Sequence, residues 1–184
     1  ILSAINLIEI NNDDELQKAC EITIRLLNAL IDYQDYPIKA GQTFTLNRRS
    51  LGVGITNLAG FLAKNKLSYY TPESLEIVDE WMEKIQYYLL DASCKVAEES
   101  GACPKFDETK YAQGLCPYDW ANDNAKKIVK RKPSMDWKGL KKRIKEHGLK
   151  NSTVSAIMPC ESSSVIQNST NAVSYTHLRA HETS

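Results

Sequence analysis

The sequence has few of the residues that usually mark a metal centre, a disulfide scaffold or a membrane span. It contains only three histidines, and its five cysteines are not placed in the close pairs that zinc sites use. Because the cysteines are irregularly spaced and odd in number, they are typical of reduced thiols in a cytoplasmic protein. No apolar run approaches the roughly 20 residues of a membrane helix. We therefore expect no metal site, no disulfide and no membrane partner.

The chain also lacks a net charge that would indicate a polyanionic partner. It carries 23 basic and 23 acidic side chains. Residues 126–150 are strongly basic, but they lack the interleaved aromatic side chains with which proteins stack single-stranded nucleic acid. We predict a solvated basic face there and no nucleic-acid partner.

A first helix is predicted to begin after Asn12. Asn12 can cap the helix, and Glu15 three residues later completes a capping-box pattern. The helix should end near residues 36–37. Apolar residues at helical spacing should face a core, namely Leu16, Ala19, Cys20, Leu27, Leu30 and Ile31.

Two further helices are predicted from their end signals. The longest runs from a capping Thr71 to Gly101, and its broad apolar stripe favours packing on a large core over a narrow coiled-coil seam. The next should be capped by Ser134 and closed by Gly148. Core positions on the long helix are Leu75, Val78, Met82, Ile85, Leu89, Ala92 and Val96, and on the next helix Trp137, Leu140 and Ile144.

Gly52 and Gly54 form a Gly-x-Gly pair, which is also part of dinucleotide-binding loops. The third glycine of such a loop is replaced by Asn57, and no βαβ pattern surrounds the pair. We interpret the glycines as positions that admit a neighbouring backbone. Arg48 and Arg49, just before them, are candidates for pairing with carboxylates inside the protein.

Residues 152–164 carry the strongest functional signal. They are typical of a short buried strand, a turn at Pro159 and a helix whose first turn is rich in serine. The first amides of a helix lack intrahelical partners and carry the positive end of its dipole, so such a turn can bind a phosphate. The serines could instead only cap the helix. The residues alone leave both interpretations open.

A family resemblance favours the phosphate interpretation. Residues 151–164, followed by 167–171, resemble the substrate-phosphate loop of the ribonucleotide reductase large (alpha) subunit. The resemblance to the aerobic, class I branch is collinear from Ile1 to Asn171, and it includes residues 2–7, 48–55, 85–90 and 101–104. It implies an α/β fold, as a predominantly helical fragment of the ten-stranded α/β barrel of this family. Residues 1–171 would be a partial barrel domain, and residues 172–184 are interpreted as a non-native tail.

The resemblance also implies which residues touch substrate. Pro159 opens the loop, and the backbone amides that follow it hold the diphosphate of a ribonucleoside diphosphate. Cys160 replaces the serine or threonine often found there, which leaves its amide role intact. The expected substrate-binding residues are Leu2, Ser3, Pro159, Cys160, Glu161, Ser162 and Ser163. No catalytic residue is expected in this chain, because the family's radical and redox cysteines would lie outside it.

In the parent enzyme the resemblance implies reduction of ribonucleoside diphosphates to deoxyribonucleoside diphosphates by thiyl-radical chemistry. The radical would come from a separate, metal-containing small (beta) subunit, and thioredoxin or glutaredoxin would be the reductant. An alpha homodimer and allosteric ATP or dNTP sites are also implied. This chain itself would bind no cofactor and would be inactive alone. The alternative is a non-catalytic helical interaction module derived from a reductase.

Overall fold

The computed structural model describes residues 1–69, 71–128 and 131–170. The predicted tail, residues 172–184, lies outside the described residues. The two strands are β1 (Leu2–Asn6) and β2 (Gly52–Thr56). The helices are α1 (Asp13–Tyr33), α2 (Lys39–Arg48), α3 (Leu58–Lys64), α4 (Pro72–Ser100), α5 (Asp123–Ile128), α6 (Trp137–His147) and α7 (Glu161–Ile166). Short 3₁₀ turns occur at Leu7–Glu9, Phe106–Glu108 and Pro117–Trp120.

The sheet is small and parallel. β1 pairs with β2 in a register that places Leu2 opposite Gly52 and Asn6 opposite Thr56. Ser155 forms a parallel bridge with Val53, so an extended segment lies beside β2 in the same direction. The strand predicted in this segment is therefore reduced to one bridge, although Val154 is buried as expected. The chain is predominantly helical with this two-stranded sheet, which confirms the coarse α/β prediction.

The core is centred on the packing of α1 against α4. From α1 it takes Leu16, Cys20, Ile24, Leu27 and Ile31, and from α4 mainly Ile85, Leu89, Ala92 and Val96. The broad packing confirms the prediction of a helix on a large core. Leu30 and Leu75 were predicted to face this core, and both predictions are wrong because the side chains are 39% and 40% exposed. Leu30 follows Ile22 and Leu26 at four-residue spacing, on the exposed side of α1.

Several predicted helix ends are confirmed. Asn12 Oδ1 accepts from the Glu15 amide at 2.9 Å, while the Glu15 carboxylate accepts from the amide of Asn11 instead of Asn12. Helix α1 stops at Tyr33, three residues before the expected end. Thr71 caps α4, and Gly101 ends it with a φ of 80°.

The predicted start of α6 is wrong. Asp136 caps this helix, with its Oδ1 accepting from the Gly139 amide at 2.9 Å. Ser134 instead donates its amide to Glu83 Oε1 of α4, also at 2.9 Å. The serine that the local sequence pattern predicts as the cap is therefore hydrogen-bonded to a carboxylate that is distant in sequence. The predicted end at Gly148, with a φ of 76°, is confirmed.

The basic segment is only partly a solvated face. Among the described lysines and arginines of the segment, three form ion pairs: Arg131 with Asp79 and Glu83, Lys141 with Asp119, and Arg143 with Asp91. Lys138, Lys142 and Lys145 are exposed on one side of α6. Lys130 lies outside the described residues. The acidic residues that neutralise this segment come mainly from α4, far away in sequence.

Candidate functional site

The predicted phosphate loop leaves the sheet at the carboxyl side of β2. The extended segment before it is hydrogen-bonded along β2: the Val53 amide donates to Val154 O at 2.9 Å, and the Ala156 amide donates to Val53 O at 3.2 Å. Pro159 then turns the chain into α7. Ligands of parallel α/β sheets bind at the carboxyl ends of the strands, which is where this turn lies.

The glycine pair of β2 permits this close arrangement. A Cβ on Gly52 would lie 2.7 Å from Leu2 Cδ2 and 2.9 Å from Ala156 Cβ. A Cβ on Gly54 would lie 2.8 Å from the main-chain oxygen of Ala156. The glycines therefore admit the neighbouring segments on both sides of β2, which confirms the packing interpretation.

The first turn of α7 is open to solvent. Pro159, Glu161, Ser162 and Ser163 are exposed. No described residue accepts a hydrogen bond from the amides of Ser162 and Ser163, as is normal at a helix start. These two amides are thus the part of the predicted site that is exposed and ready to donate.

The serines of this turn do not cap α7. Cys160 occupies the capping position, and its side chain makes no capping hydrogen bond. The Ser164 hydroxyl instead donates to Glu161 O at 2.8 Å, within the turn. The alternative that the serines serve only as caps therefore has no support in this geometry.

Cys160 points its side chain inward. The residue is 5% exposed, and Sγ donates to Met158 O at 3.5 Å. Burial raises the pKa of its thiol, so the side chain stays neutral near physiological pH. The side chain of Cys160 is therefore turned away from the exposed face of the turn.

Leu2 and Ser3 lie away from the loop. They occupy the amino end of β1, whereas Pro159 follows the carboxyl end of the segment on the other side of β2. Leu2 is 65% exposed and lies beside Gly52, which also contacts Ala156. The structure thus places the two groups of predicted site residues on one small sheet but does not bring them into contact.

A buried polar cluster that was not predicted from the sequence fixes the start of the loop segment. Asn151 is fully buried; its Nδ2 donates to Arg49 O at 2.7 Å, and its Oδ1 accepts from the Ser93 hydroxyl at 2.9 Å. Arg49 also forms a two-fold pair with Asp32, at 2.7 and 2.8 Å. Hydrogen bonds from this guanidinium hold the pKa of Asp32 below its usual value.

Both arginines before the glycine pair have carboxylate partners, as predicted, but only Arg49 is buried inside the protein, whereas the pair formed by Arg48 is exposed. Arg49 pairs with Asp32, and Arg48 pairs with Glu108. The one sequence signal for the polar cluster was Asn28, a polar residue on the apolar side of α1, between positions that enter the core.

The five cysteines are all free thiols and all buried. Burial raises the pKa of Cys20 and of Cys94 to about 12 and that of Cys116 to about 11. Thiols with such values are poor nucleophiles at neutral pH. Within the described ranges, no cluster of histidine, cysteine and acidic side chains has the arrangement of a metal site. No helix there combines the length and apolar character needed to cross a membrane.

Comparison with known proteins identifies the family of the chain. Residues 1–178 match the family described as the ribonucleotide reductase barrel domain. Because the match covers nearly the whole sequence, the chain belongs to the ribonucleotide reductase barrel-domain family.

Curated relatives of the chain are named as alpha subunits of ribonucleoside-diphosphate reductases. The chain is 45% identical over 172 residues to the ribonucleoside-diphosphate reductase subunit alpha of Haemophilus influenzae, covering 94% of this chain and 23% of that protein. It is 46% identical over 143 residues to the reductase 1 subunit alpha of Escherichia coli, covering 78% and 19%. It is 40% identical over 160 residues to the subunit alpha of Enterobacteria phage T4, covering 87% and 21%. The chain thus spans less than a quarter of each of these relatives.

Proposed function

We propose that this chain is part of the barrel domain of a ribonucleoside-diphosphate reductase alpha subunit, and that its turn at residues 159–163 binds the diphosphate of the substrate. The observation that carries the proposal is the exposed first turn of α7, with the Ser162 and Ser163 amides donating to no described residue. The names of the relatives, which act on ribonucleoside diphosphates, supply the substrate class.

In this proposal the main chain does most of the binding. Amides at the start of α7 donate to phosphate oxygens, and the helix dipole adds a favourable field. Exposed hydroxyls of Ser162 and Ser163 supply further donors. Cys160 and Glu161 contribute their amides, because one side chain is turned inward and the other carries a charge that phosphate repels. Pro159 sets the direction of the turn.

The rest of the parent enzyme would complete the site. β1, β2 and the segment before Pro159 would be three adjacent parallel segments of the ten-stranded α/β barrel, with residues 1–171 as its partial domain. Leu2 and Ser3 would line the pocket beside a redox cysteine outside this chain. The radical would come from a metal-containing beta subunit and the electrons from thioredoxin or glutaredoxin. The alpha subunit would be a homodimer regulated by ATP or dNTP in the cytoplasm.

The test uses the complete alpha subunit that contains this chain. Ser162→Pro removes one amide donor, and proline is tolerated in the first turn of a helix. Ser162→Ala is the matched control, because it removes the hydroxyl and keeps the amide. We expect Ser162→Pro to weaken binding of a ribonucleoside diphosphate about ten- to hundredfold, the range of a lost hydrogen bond to a charged group. Binding of the corresponding nucleoside should change much less.

Calorimetry with both ligands measures the difference. An equal loss of diphosphate and nucleoside binding, with the thermal midpoint unchanged, would remove the turn from the site. Binding of neither ligand by the unaltered subunit would favour a non-catalytic interaction module instead.

A further inference from the structure

The segment after the carboxyl end of α7 is held next to the end of β2 by hydrogen bonds between two residues that are 113 positions apart in sequence. The Asn57 amide donates to Thr170 O at 3.0 Å. In return, Asn57 Oδ1 accepts from the Thr170 hydroxyl at 3.1 Å and from the Thr170 amide at 3.3 Å. Asn57 directly follows β2, and Thr170 lies four residues after the end of α7. We call this set of three hydrogen bonds the Asn57–Thr170 clamp.

The side chain of Asn57 is diverted from the role that its position predicts. Asn57 is the capping residue of α3, where an asparagine oxygen normally accepts from an amide in the first turn. No such capping bond is formed. The oxygen binds Thr170 instead, so α3 loses a cap while the segment after α7 gains an anchor.

The backbone of Asn57 is arranged for this contact. Its φ of 64° and ψ of 30° are left-handed, a conformation that asparagine tolerates better than most residues. The residue is 7% exposed. Space for its side chain depends on Gly60, where a Cβ would lie 2.4 Å from Asn57 Oδ1. The Asn57 side of the clamp is therefore fixed by the junction between β2 and α3.

Helix α7 needs such anchors. It has six residues, too few to be stable through its own hydrogen bonds, and Ser164 is its one buried residue. Before the turn, the chain is held by the Ala156–Val53 hydrogen bond, and after it by the clamp. Both anchors lie on β2 or next to its end. The turn at residues 159–163 is thus held on one side by a contact to β2 and on the other by a contact to the residue that follows β2.

We propose that Asn57 is a positioning residue for diphosphate binding. It acts through Thr170 and does not touch the substrate. By fixing the far end of α7, it holds the first-turn amides in place. This inference rests on the proposed function of residues 159–163.

Two substitutions open the clamp from its two sides in the complete alpha subunit, assayed with its radical-supplying partner. Asn57→Gly keeps the left-handed backbone and the amide but removes the side-chain acceptor. Thr170→Val removes the hydroxyl with little change in shape. We expect each to raise the KM for a ribonucleoside diphosphate about three- to tenfold, the range of one or two lost hydrogen bonds. The kcat should stay within about twofold. An interaction that stabilises the bound substrate and the transition state equally changes KM and leaves kcat unaltered.

Two variants serve as controls. Thr170→Ser keeps the hydroxyl and should keep the KM. Lys66→Gly relieves another left-handed residue, with a φ of 57°, outside the clamp, and should also leave the KM unchanged. The double variant Asn57→Gly/Thr170→Val should lose less substrate-binding free energy than the sum of the losses in the two single variants. The reason is that both single changes remove the same hydrogen bond.

The outcomes separate this inference from the proposed function. If Ser162→Pro leaves diphosphate binding intact, the proposed function fails. If Ser162→Pro weakens it but Asn57→Gly and Thr170→Val leave the KM unchanged, the positioning role alone is overturned. A fall in kcat with no change in KM, or equal loss of nucleoside and diphosphate binding, also contradicts it. Thr170→Val retains the test if Asn57→Gly fails to fold, because Thr170 is exposed.

Discussion

Asn28 and Asn151, 123 positions apart in sequence, form a reciprocal amide pair in the interior. Each Nδ2 lies 3.1 Å from the Oδ1 of the other residue, and both residues are buried. Asn28 belongs to α1, and Asn151 precedes the segment that leads into the predicted phosphate loop. The pair therefore joins the helical core to the start of that segment. A polar contact in the core here helps to position the backbone segment that leads into the predicted phosphate loop.

Removal of the Asn151 side chain should be strongly destabilising. Asn151→Ala leaves polar groups of Asn28 and Ser93 buried without this partner, and each unsatisfied buried group costs about 1–3 kcal/mol. We expect the free energy of unfolding to fall by about 2–4 kcal/mol, measured by urea denaturation. Asn124→Ala, at an exposed position of α5, is the control and should change it by less than about 0.5 kcal/mol. Similar values for the two variants would contradict the prediction.

The sequence predicted best the features that depend on neighbours in the chain. Asn12, Thr71, Gly101 and Gly148 act within one helical turn, and all four mark the ends expected of them. Helix α2 was not predicted, because none of its residues is buried and it therefore shows no apolar periodicity.

Features that depend on partners distant in sequence could not be predicted in this way. Ser134 has the local pattern of a cap, but Glu83, 51 positions away, binds it and leaves the cap to Asp136. The Asn57–Thr170 clamp could not be predicted from the sequence either, because no residue near Asn57 indicates that Thr170 is its partner. The position of the phosphate loop was inferred mainly from family resemblance. Its local pattern also fitted a simple helix cap.

A methyl group at Gly54 should push the loop segment away from β2. The added Cβ would lie 2.8 Å from Ala156 O and 3.3 Å from Met158 Cε. Because the first of these atoms belongs to the backbone, it cannot move aside cheaply. We expect Gly54→Ala to lower the free energy of unfolding by about 1–3 kcal/mol, the usual cost of overpacking.

Gly41→Ala is the matched control for that change. Gly41 lies in α2, and a Cβ there would meet no atom within 4 Å. Alanine favours helix over glycine by about 0.5–1 kcal/mol, so this variant should be more stable than the original chain. Thermal unfolding of both variants measures the contrast. A neutral Gly54→Ala would show that close approach at Gly54 is not limiting, and equal destabilisation by both variants would show that the cost is not specific to Gly54.

Glu83 should make the stability of the chain sensitive to acid. Its burial raises the carboxyl pKa, but hydrogen bonds from the Met135 amide and the Trp137 indole, together with Arg131, outweigh this and lower the pKa below its ordinary value of 4.5. A lowered pKa in the folded state means that the unfolded chain takes up the proton first. The stabilisation is thus complete well above pH 4.5 and is lost as the pH falls through the folded-state pKa.

The pH dependence of urea unfolding tests this prediction. Glu83→Gln should be less stable than the original chain at pH 7, and the difference between the two should shrink as the pH falls below about 4.5. Glu76→Gln, at an exposed position of the same helix, is the control. Its free energy of unfolding should differ from that of the original chain by the same amount at each pH. A constant difference between Glu83→Gln and the original chain from pH 7 to pH 3 would contradict the assignment.

Cys160→Ser should leave diphosphate binding nearly unchanged. The thiol is turned inward onto Met158 O, so its replacement by a hydroxyl alters no group that faces the turn, and the amide is preserved. In the complete alpha subunit we expect the Kd for a ribonucleoside diphosphate to change by less than about threefold, or roughly 0.6 kcal/mol. Cys160→Pro, which removes the amide, should weaken binding more. If Cys160→Ser alone weakened or strengthened binding tenfold, the side chain would have to face the ligand. The proposal that Cys160 contributes its main-chain amide and not its side chain would then be wrong.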